Sequence, residues 1–428
     1  MIREIKRVLY FPVAYYFRFW AWIKLNRWKP KIIVVTGSSG KTTLLHLIES
    51  QLQNKARYSH HANSSFGIPF DILGLTRKNL TPDEWIFLFF LAPFKAFKSI
   101  PQQKIYVVEA DCDRPGEGKF LAGFLKPEIT LWTNSSLTHS ANFDYLVKNK
   151  SRTDSVRDKC FSSAEGAIAY EFGYFLEYTQ KLAIVNGDSA LIKQQLARTN
   201  AQILPTSQIS LESYKILKNS TEFIIEHKKY SINFIVPKDV FYSIKMTNLL
   251  LKYLNLPFDP DFKNLTLPPG RNSIFKGIEN TTIIDSTYNA TPEGVKTILE
   301  MFDKYPAENK WLVLGDMIEL GNEEKKEHEK IGQIISKMKL EKIILIGPRV
   351  SKHIPPILPT SLTAQTFIMP KESLDYILKN IKGKETILFK GARFLEGIIE
   401  HLLLNKNDTS KLVRREKAWQ NRRKAFGL

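Results

Sequence analysis

The sequence is poor in cysteine. Among its 428 residues only Cys112 and Cys160 are cysteines, and they lie far apart in the chain. Two isolated cysteines indicate neither a disulfide framework nor a metal site built from thiolates. We therefore expect a protein of a reducing compartment, the cytoplasm, which is also where ATP is found.

Acidic residues are also scarce relative to basic ones. The chain has 43 Asp and Glu against 62 Lys and Arg, which gives a formal net charge of +19. Such an excess suits anionic partners such as nucleotides, acidic membrane surfaces or nucleic acid. Because the excess is spread along the chain and no nucleic-acid recognition motif is present, we expect no nucleic-acid partner.

The chain lacks an apolar run long enough to span a membrane. Residues 8–28 contain nine aromatic residues, but Pro12 and Arg18 interrupt the run, and no signal-peptide cleavage site follows. Residues 85–94 are continuously apolar but have about half the length of a spanning helix. Two interpretations of residues 8–28 stay open. They form a helix in the interface of an anionic membrane at its inner face, or they pack against the body of the protein.

The most informative stretch is a phosphate-binding loop at residues 31–43, KIIVVTGSSGKTT. A short apolar strand leads into a glycine-containing loop, and an amphipathic helix follows. Backbone N–H groups of such a loop point at phosphate oxygens, Lys41 can reach the β- and γ-phosphates, and Thr42 can bind Mg²⁺. Val35 stands where the strict motif has glycine, so only the Gly-Lys-Thr half matches fully. The residues expected to bind the nucleotide here are Gly37, Ser38, Ser39, Gly40, Lys41, Thr42 and Thr43.

Alternating apolar strands and helical stretches predict an α/β fold. We expect a doubly wound P-loop ATPase domain followed by a smaller Rossmann-like α/β domain. A Pro-Pro-Gly sequence at 268–270 marks the predicted boundary between them. The expected parts are an aromatic and basic N-terminal helix (1–30), the ATP-binding domain (31–268), the C-terminal domain (269–408) and a basic tail (409–428). The tail is expected to be a solvated helix or a disordered end that contacts anionic lipid.

Polar residues follow the predicted strands of the first domain, at the edge where open α/β sheets bind ligands. Glu109 ends one buried strand, and Asn134 follows another. A carboxylate beside a phosphate-binding loop is suited to bind the Mg²⁺ of a nucleotide, because Mg²⁺ prefers oxygen ligands. His139, taken alone, reads as an ordinary loop histidine.

Together these motifs resemble the Mur ligase family, enzymes that make peptide bonds in peptidoglycan synthesis. The first-domain residues that carry the resemblance are Thr36-Gly-Ser-Ser-Gly-Lys-Thr-Thr43, Asn63, Gly67-Ile-Pro69, Glu109, Thr133-Asn134 and His139. Those of the second half are Gly270-Arg271, Asp285-Ser-Thr-Tyr-Asn-Ala-Thr-Pro292, Val313-Leu-Gly-Asp-Met-Ile-Glu-Leu-Gly321, His328, Lys390-Gly-Ala-Arg393 and Glu396. The second set is similar to the MurF type, which adds D-alanyl-D-alanine to a UDP-muramoyl tripeptide. The resemblance covers about residues 31–400.

The resemblance implies an acyl-phosphate mechanism that uses ATP and Mg²⁺. The substrate carboxylate attacks the γ-phosphoryl group, and an amino-acid or dipeptide amine attacks the acyl phosphate. Catalytic roles are implied for Lys41, Glu109, His139 and Arg271, and metal contacts for Thr42, Glu109 and His139. Further nucleotide contacts are implied for Asn134, Arg271, Asp285 (to the ribose) and Asn289.

Three features depart from the family pattern. About thirty residues precede the phosphate-binding loop, so the sequence predicts that the usual N-terminal UDP-binding domain is lacking. Positions 160–180 contain no lysine to be carbamylated, although Lys159 lies just outside. Glu171, or less favourably Glu165, is expected to supply the missing anionic metal ligand. The MurF type has two adjacent aspartates at this point of the sequence. This chain has Asp285 followed by Ser286, and therefore only one carboxylate.

We therefore expect an ATP- and Mg²⁺-dependent amide ligase of the MurF type that acts on a carboxylate of a peptidoglycan precursor. Two alternatives stay open. One is a related ligase with a poly-γ-glutamyl or lipid-linked acceptor. The other is a non-catalytic nucleotide-binding scaffold subunit.

Overall fold

The computed structural model describes residues 2–60, 62–77, 82–147, 161–391 and 394–428; for residues 2–8 and 82 it describes the backbone alone. Lys159, Cys160 and Arg393, which the sequence analysis names, lie outside these ranges. The helices are α1 (Ile2–Trp28), α2 (Lys41–Leu52), α3 (Gly67–Leu73), α4 (Pro82–Phe97), α5 (Glu117–Leu125), α6 (Ala164–Glu177), α7 (Ala190–Lys193), α8 (Val240–Tyr253), α9 (Pro292–Lys304), α10 (Glu324–Ile335), α11 (Pro348–His353), α12 (Pro370–Asn380), α13 (Leu395–Leu402) and α14 (Lys417–Ala425).

The strands form three sheets. They are β1 (Lys31–Thr36), β2 (Ala56–Tyr58), β3 (Ile105–Ala110), β4 (Ile129–Trp132), β5 (Leu182–Asn186), β6 (Gln202–Thr206), β7 (Leu211–Ile216), β8 (Thr221–Ile225), β9 (Lys228–Ile232), β10 (Ser273–Lys276), β11 (Thr282–Ser286), β12 (Lys310–Gly315), β13 (Lys342–Ile346), β14 (Ala364–Phe367) and β15 (Thr386–Lys390).

Contacts divide the chain into two compact units. The first contains Met1–Ser136, Tyr145–Gln208 and Tyr242–Phe258, and the second contains Leu137–Asp144, Ile209–Phe241 and Asp259–Leu428. The boundary between the ATP-binding domain and the C-terminal domain, expected from the sequence near residue 268, stays a prediction.

A parallel six-stranded sheet forms the centre of the first unit, in the order β2-β3-β1-β4-β5-β6. Central strands of a parallel sheet are covered on both faces, which explains the unbroken apolar run in β1. β1 lies between β3 and β4, and Val35 is in register with Glu109, so the phosphate-binding loop and Glu109 leave the same edge of the sheet. This arrangement confirms the predicted doubly wound α/β fold.

The second unit has its own six-stranded sheet, in the order β10-β11-β15-β12-β13-β14. All its pairings are parallel except β10 with β11, which is antiparallel. Asp285 and Ser286 end β11 beside the last residues of β15, where Ser286 is in register with Lys390. Strands β7, β8 and β9 form a separate antiparallel sheet in this unit.

Helix α1 packs along one of its faces. Phe17 is fully buried and contacts the ring of Phe70, with centroids 4.8 Å apart. Trp28 is 2 % exposed, and its indole N–H donates to the carbonyl of Gln103 at 2.6 Å. The interpretation that residues 8–28 pack against the body is therefore confirmed for this face. Among the described helices, none is both long and apolar enough to cross a membrane.

The C-terminal tail is folded onto the second unit. Arg423 of α14 is 4 % exposed and lies 3.5 Å from the fully buried carboxylate of Glu396. Arg414 approaches the same carboxylate at 3.5 Å and donates to the carbonyl of Thr287 at 3.1 Å. The expectation of a solvated or disordered tail is therefore wrong for these two arginines, because a buried carboxylate requires their charge.

Replacing Arg423 by alanine should lower the free energy of unfolding by about 3 kcal/mol, because it removes one of the two cations that neutralise buried Glu396. The matched control is Arg422→Ala, which removes a solvent-exposed arginine from the neighbouring position of α14. Thermal and urea unfolding of both variants measure the difference. Equal stability of the two variants would show that the tail is not packed in this way.

Candidate functional site

The phosphate-binding loop has a backbone that requires glycine at two positions. Gly37 has a φ of 129° and Gly40 a φ of 77°, conformations that side chains with a Cβ rarely adopt. A Cβ on Gly37 would also lie 2.3 Å from the hydroxyl oxygen of Thr133. Both glycines predicted to shape the loop therefore do so.

Residues that follow β4 hold this loop in place. The side-chain oxygen of Asn134 accepts a hydrogen bond from the backbone N–H of Ser39 at 2.9 Å, and its amide N–H donates to the Ser39 hydroxyl at 2.6 Å. The Thr133 hydroxyl donates to the carbonyl of Ser39 at 2.7 Å. Ser38 is fixed by its hydroxyl, which donates to the carbonyl of Ser136 at 2.8 Å. Asn134 thus positions the loop from the neighbouring strand.

Lys41 is 6 % exposed at the start of α2. Its ammonium group donates to the carbonyl of Gly37 at 2.6 Å and pairs with the carboxylate of Asp111 at 2.8 Å. Burial alone would lower the pKa of Lys41, but the charges of Asp111 and Glu109 outweigh burial and raise it above the usual lysine value. The side chain is therefore a fixed cation beside the phosphate-binding loop.

Thr42 and Glu109 meet at the same place. The Thr42 hydroxyl donates to the Glu109 carboxylate at 2.8 Å, and the amide of Asn63 donates to the other carboxylate oxygen at 3.4 Å. A hydroxyl and a carboxylate next to a phosphate-binding loop are the oxygen ligands that Mg²⁺ prefers. These residues fit a nucleotide-bound magnesium ion.

The segment from the end of β3 to the start of α5 contains two functional candidates that are not predicted from the sequence, Asp111 and Glu117. Asp111 pairs with Lys41, as described above. Glu117 is fully buried, and one of its oxygens accepts from the hydroxyl of Tyr10 at 3.0 Å and from the hydroxyl of Ser65 at 2.7 Å. The other oxygen accepts from the backbone N–H of Asp113 at 3.0 Å. The available signal is the series of carboxylates that begins with Glu109 near the end of β3 and continues to Glu117.

Glu171, the residue expected to replace the carbamylated lysine, lies on α6 and is 7 % exposed. Its carboxylate accepts from the backbone N–H of Gly118 at 3.0 Å, in the first turn of α5. Burial raises the pKa of Glu171, although hydrogen bonds from Gly116 and Gly118 act in the opposite direction. Glu165 lies in the first turn of α6. A metal contact for either residue stays a prediction.

His139 belongs to the second unit by its contacts. It has a φ of 49°, and its Nδ1 lies 2.5 Å from the carboxylate of Glu319. The following residue, Ser140, donates from its hydroxyl to the carbonyl of Leu320 at 2.9 Å. Glu319 is the glutamate of the Leu-Gly-Asp-Met-Ile-Glu-Leu-Gly motif, and its contact with His139 is not predicted from the sequence. The role of His139 as a metal ligand stays a prediction.

Asp285 is fully buried at the end of β11. One carboxylate oxygen accepts from the N–H of Thr287 at 3.0 Å and from its hydroxyl at 2.6 Å. The other oxygen, Oδ2, is buried without a hydrogen-bond partner among the described residues. Burial raises the pKa of Asp285 to about 6. A buried acceptor without a partner is costly and often marks a position that a ligand completes.

Lys390 belongs to one of the motifs that carry the resemblance, but no role is predicted for it from the sequence. It is 5 % exposed at the end of β15, and its ammonium group donates to the carbonyl of Asn289 at 2.9 Å. Burial, together with the charge of Arg271, lowers the pKa of Lys390 to about 7. The guanidinium of Arg271 lies 4.4 Å from the ring centroid of Tyr288. Arg271, Asp285, Asn289 and Lys390 are thus gathered at one edge of the second sheet.

Two residues of the motifs that carry the resemblance, Asp316 and His328, have structural partners. Asp316 accepts from the backbone N–H groups of Arg349 and Val350, at 3.0 and 2.9 Å, at the start of α11. His328 is fully buried, with Nδ1 2.7 Å from the carbonyl of Glu324 and Nε2 3.4 Å from the backbone N–H of Met317. Burial lowers the pKa of His328, which favours the neutral ring that donates to one group and accepts from the other.

Comparison with known proteins gives two family matches. The Mur ligase middle domain matches residues 35–148, and the glutamate ligase domain of Mur ligases matches residues 270–393. The UDP-N-acetylmuramoyl-tripeptide–D-alanyl-D-alanine ligase of Rickettsia prowazekii is 26 % identical over 387 residues, which cover 85 % of this chain and 76 % of the relative. The corresponding Escherichia coli ligase is 22 % identical over 385 residues, covering 87 % and 76 %.

Solved structures agree on the fold. The MurF ligase from Thermotoga maritima, in complex with ADP, is 20 % identical and has a TM-score of 0.71, covering 93 % of this chain and 84 % of the other. At this identity the likeness establishes the fold. Together with the two domain matches, it shows that this chain belongs to the Mur ligase family and is similar to its MurF members.

Proposed function

We propose that the chain is an ATP- and Mg²⁺-dependent amide ligase that joins D-alanyl-D-alanine to a UDP-muramoyl tripeptide. The observation that carries the proposal is the buried Lys41 cation beside the Thr42–Glu109 pair, in a chain that contains both Mur ligase domains. The names of the relatives support the choice of acceptor and amine. We also propose that it works in the cytoplasm, where ATP is available.

In the first step of the proposed reaction, a carboxylate oxygen of the acceptor attacks the γ-phosphorus of ATP, and the bond to the bridging oxygen of ADP breaks. Two anions meet in this step, so a fixed cation at the γ-phosphate lowers the barrier. Lys41 is proposed to supply that charge by exchanging its contact with Asp111 for a phosphate oxygen. Phosphate then replaces the carboxylate as the partner of a buried ammonium group.

In the second step, the amine attacks the acyl carbon, inorganic phosphate leaves, and the nitrogen loses a proton. A bound Mg²⁺ supplies charge neutralisation at the phosphates. Thr42 and Glu109 are proposed to hold this ion, and His139 and Glu171 are proposed as further metal ligands. Asn134 is proposed to act through the loop, because it fixes Ser39 by two hydrogen bonds.

Three nucleotide contacts that the resemblance implies, at Arg271, Asp285 and Asn289, are kept as proposals. Asp285 offers a buried carboxylate oxygen without a partner among the described residues, which fits the hydroxyl donor of a ribose. Arg271 is proposed to contact phosphate, and Asn289 to lie near the nucleotide. Lys390 adds a side-chain amine at the same edge, and burial lowers its pKa to about 7.

ADP release tests the proposal directly. The protein should release ADP when a UDP-muramoyl tripeptide and D-alanyl-D-alanine are both present, and a single amino acid in place of the dipeptide should support less turnover. Lys41→Ala should lower turnover about 10²–10³-fold, because one preorganised charge at the phosphates is lost. The control is Lys55→Ala, an exposed lysine just after α2. The absence of ADP release from every muramoyl peptide would favour a poly-γ-glutamyl or lipid-linked acceptor, or a scaffold role.

Asp285→Asn should weaken ADP binding at pH 7.5 by about tenfold, because the ribose hydroxyl would then donate to a neutral amide oxygen and no longer to a charged carboxylate. The pKa of Asp285 is about 6, so the carboxylate is ionised at pH 7.5 and protonated at pH 5. The affinity of the wild-type protein should therefore approach that of the variant as the pH falls through 6. Calorimetric titrations measure the ADP affinity of both proteins over the same pH range, and the ratio of the two affinities removes the effect of protonation of ADP itself. Asp375→Asn, at an exposed carboxylate of α12, is the control. A constant affinity ratio from pH 7.5 to 5 would argue against the ribose contact.

Turnover should not depend on carbon dioxide. If Glu171 supplies the anionic oxygen that other members take from a carbamylated lysine, no carbamate has to form. Initial rates in CO₂-free buffer, with and without added bicarbonate, should be equal. Glu171→Gln should lose activity, whereas Glu165→Gln should retain it, with melting temperatures measured for both because Glu171 also binds the first turn of α5. A rate that falls without CO₂ and recovers with bicarbonate would assign the role to a carbamylated lysine.

A further inference from the structure

Helices α1 and α4 present a row of large apolar side chains to solvent. We call this surface the aromatic face, and its members are between 50 % and 72 % exposed. They are Leu9, Tyr15, Phe19, Trp22, Ile86, Phe87, Phe90, Phe94 and Phe97. Their spacing follows the helical repeat, so they lie on the sides of α1 and α4 that point away from the buried residues.

The two rows belong to one surface because the helices pack side by side. The hydroxyl of Tyr16 donates to the carbonyl of Phe89 at 2.8 Å, and the rings of Phe17 and Phe89 lie 5.0 Å apart. Farther along, the guanidinium of Arg27 donates to the carbonyl of Ala96 at 2.7 Å. With about 200 Å² for a fully exposed aromatic side chain, the face exposes on the order of 1,000 Å². Typical monomers have largest apolar patches of about 300–600 Å².

The segments that form this face are strongly basic. Residues 1–30 contain seven Lys and Arg against one Glu, and residues 77–104 contain five against two acidic residues. Exposed basic residues at the carboxyl ends of the two helices include Arg27, Lys29 and Lys98. Arg27 also donates to the carbonyl of Lys98 at 3.1 Å, which places its guanidinium at the junction of the two helix ends. A partner of this face must therefore tolerate aromatic side chains and offer negative charge.

We propose that the aromatic face binds the surface of an anionic phospholipid bilayer, with α1 and α4 lying in the interface. Aromatic and aliphatic side chains on such helices enter the boundary between headgroups and acyl chains, while Lys and Arg contact the acidic headgroups. A second copy of the chain fits less well, because both segments of the face carry an excess of positive charge and two copies would bring like charges into one interface. This inference does not depend on the reaction that the enzyme catalyses.

The face is attached rigidly to the nucleotide-binding unit. The ring of Tyr10 in α1 lies 3.7 Å from the guanidinium of Arg114, and its hydroxyl donates to buried Glu117. Arg114 and Glu117 belong to the segment that follows Asp111, the partner of Lys41. Because α1 is fixed in this way, the protein binds lipid as a folded body. Nucleotide binding should therefore persist on the membrane.

Co-sedimentation of the full chain with vesicles tests the proposal. The protein should bind vesicles of phosphatidylcholine with 30 % phosphatidylserine at low salt and bind pure phosphatidylcholine much less. Each basic residue near an acidic leaflet strengthens binding about fivefold, and added salt weakens this attraction, so binding should fall between 50 and 500 mM NaCl. ADP affinity should be the same with and without vesicles.

A triple variant separates insertion of the face from attraction by charge alone. Phe87→Ser, Phe90→Ser and Phe94→Ser together should weaken partitioning at least about tenfold, because three exposed phenyl groups no longer leave water. The control combines Ile209→Ser, Ile368→Ser and Leu404→Ser, three exposed apolar residues of the second unit. This control should bind vesicles like the wild-type protein. Melting curves establish that both variants are folded.

Three results would overturn the proposal. The first is the absence of binding to anionic vesicles at low salt, and the second is equal binding by the two triple variants. The third is a concentration-dependent dimer in the absence of lipid that the Phe variant abolishes and the control variant retains. Sedimentation velocity at several protein concentrations detects this dimer and would assign the face to a second copy.

Discussion

The first unit depends on one buried charge, the ammonium group of Lys41. It is held 2.8 Å from the carboxylate of Asp111 and 2.6 Å from the carbonyl of Gly37. A buried ammonium group is costly without negative partners, and these contacts satisfy it. A phosphate group offers the same kind of partner. Lys41 is therefore placed in advance, with its charge fixed, where phosphate is expected to bind.

The rest of the site follows from the order of the strands. Because β1 lies between β3 and β4, Glu109 and Asn134 both reach the phosphate-binding loop from neighbouring strands. Asn134 fixes the loop through Ser39, and Glu109 receives the hydroxyl of Thr42. In the second unit, the pairing of β11 with β15 places Asp285 close to Lys390 in the same manner. Parallel sheets thus collect polar side chains from distant parts of the sequence at one edge.

Much of this could be predicted from the sequence because the signals are local. The phosphate-binding loop, the apolar strand that leads into it and the amphipathic helix that follows it are encoded in one short stretch of chain. Edge strands β10 and β14 were not predicted, since they are short and partly exposed. Asp111 and Lys390 were missed as site residues because their importance lies in contacts with residues far away in the sequence.

Long-range contacts also explain the two ends of the chain. The composition of residues 8–28 fits both packing and membrane contact, and α1 has a buried face and an exposed aromatic one. In the tail, basic residues suggested a solvated segment, but Arg414 and Arg423 neutralise Glu396, which is buried by the fold of the second unit. No local pattern distinguishes an arginine that faces water from one that faces a buried carboxylate.

A crystal structure with a non-hydrolysable ATP analogue and Mg²⁺ tests the central claim most directly. We expect the Lys41 ammonium group to leave Asp111 and contact a phosphate oxygen, with Thr42 and Glu109 at the metal ion. A bound analogue whose phosphates lie elsewhere, with the Lys41–Asp111 pair intact, would contradict it.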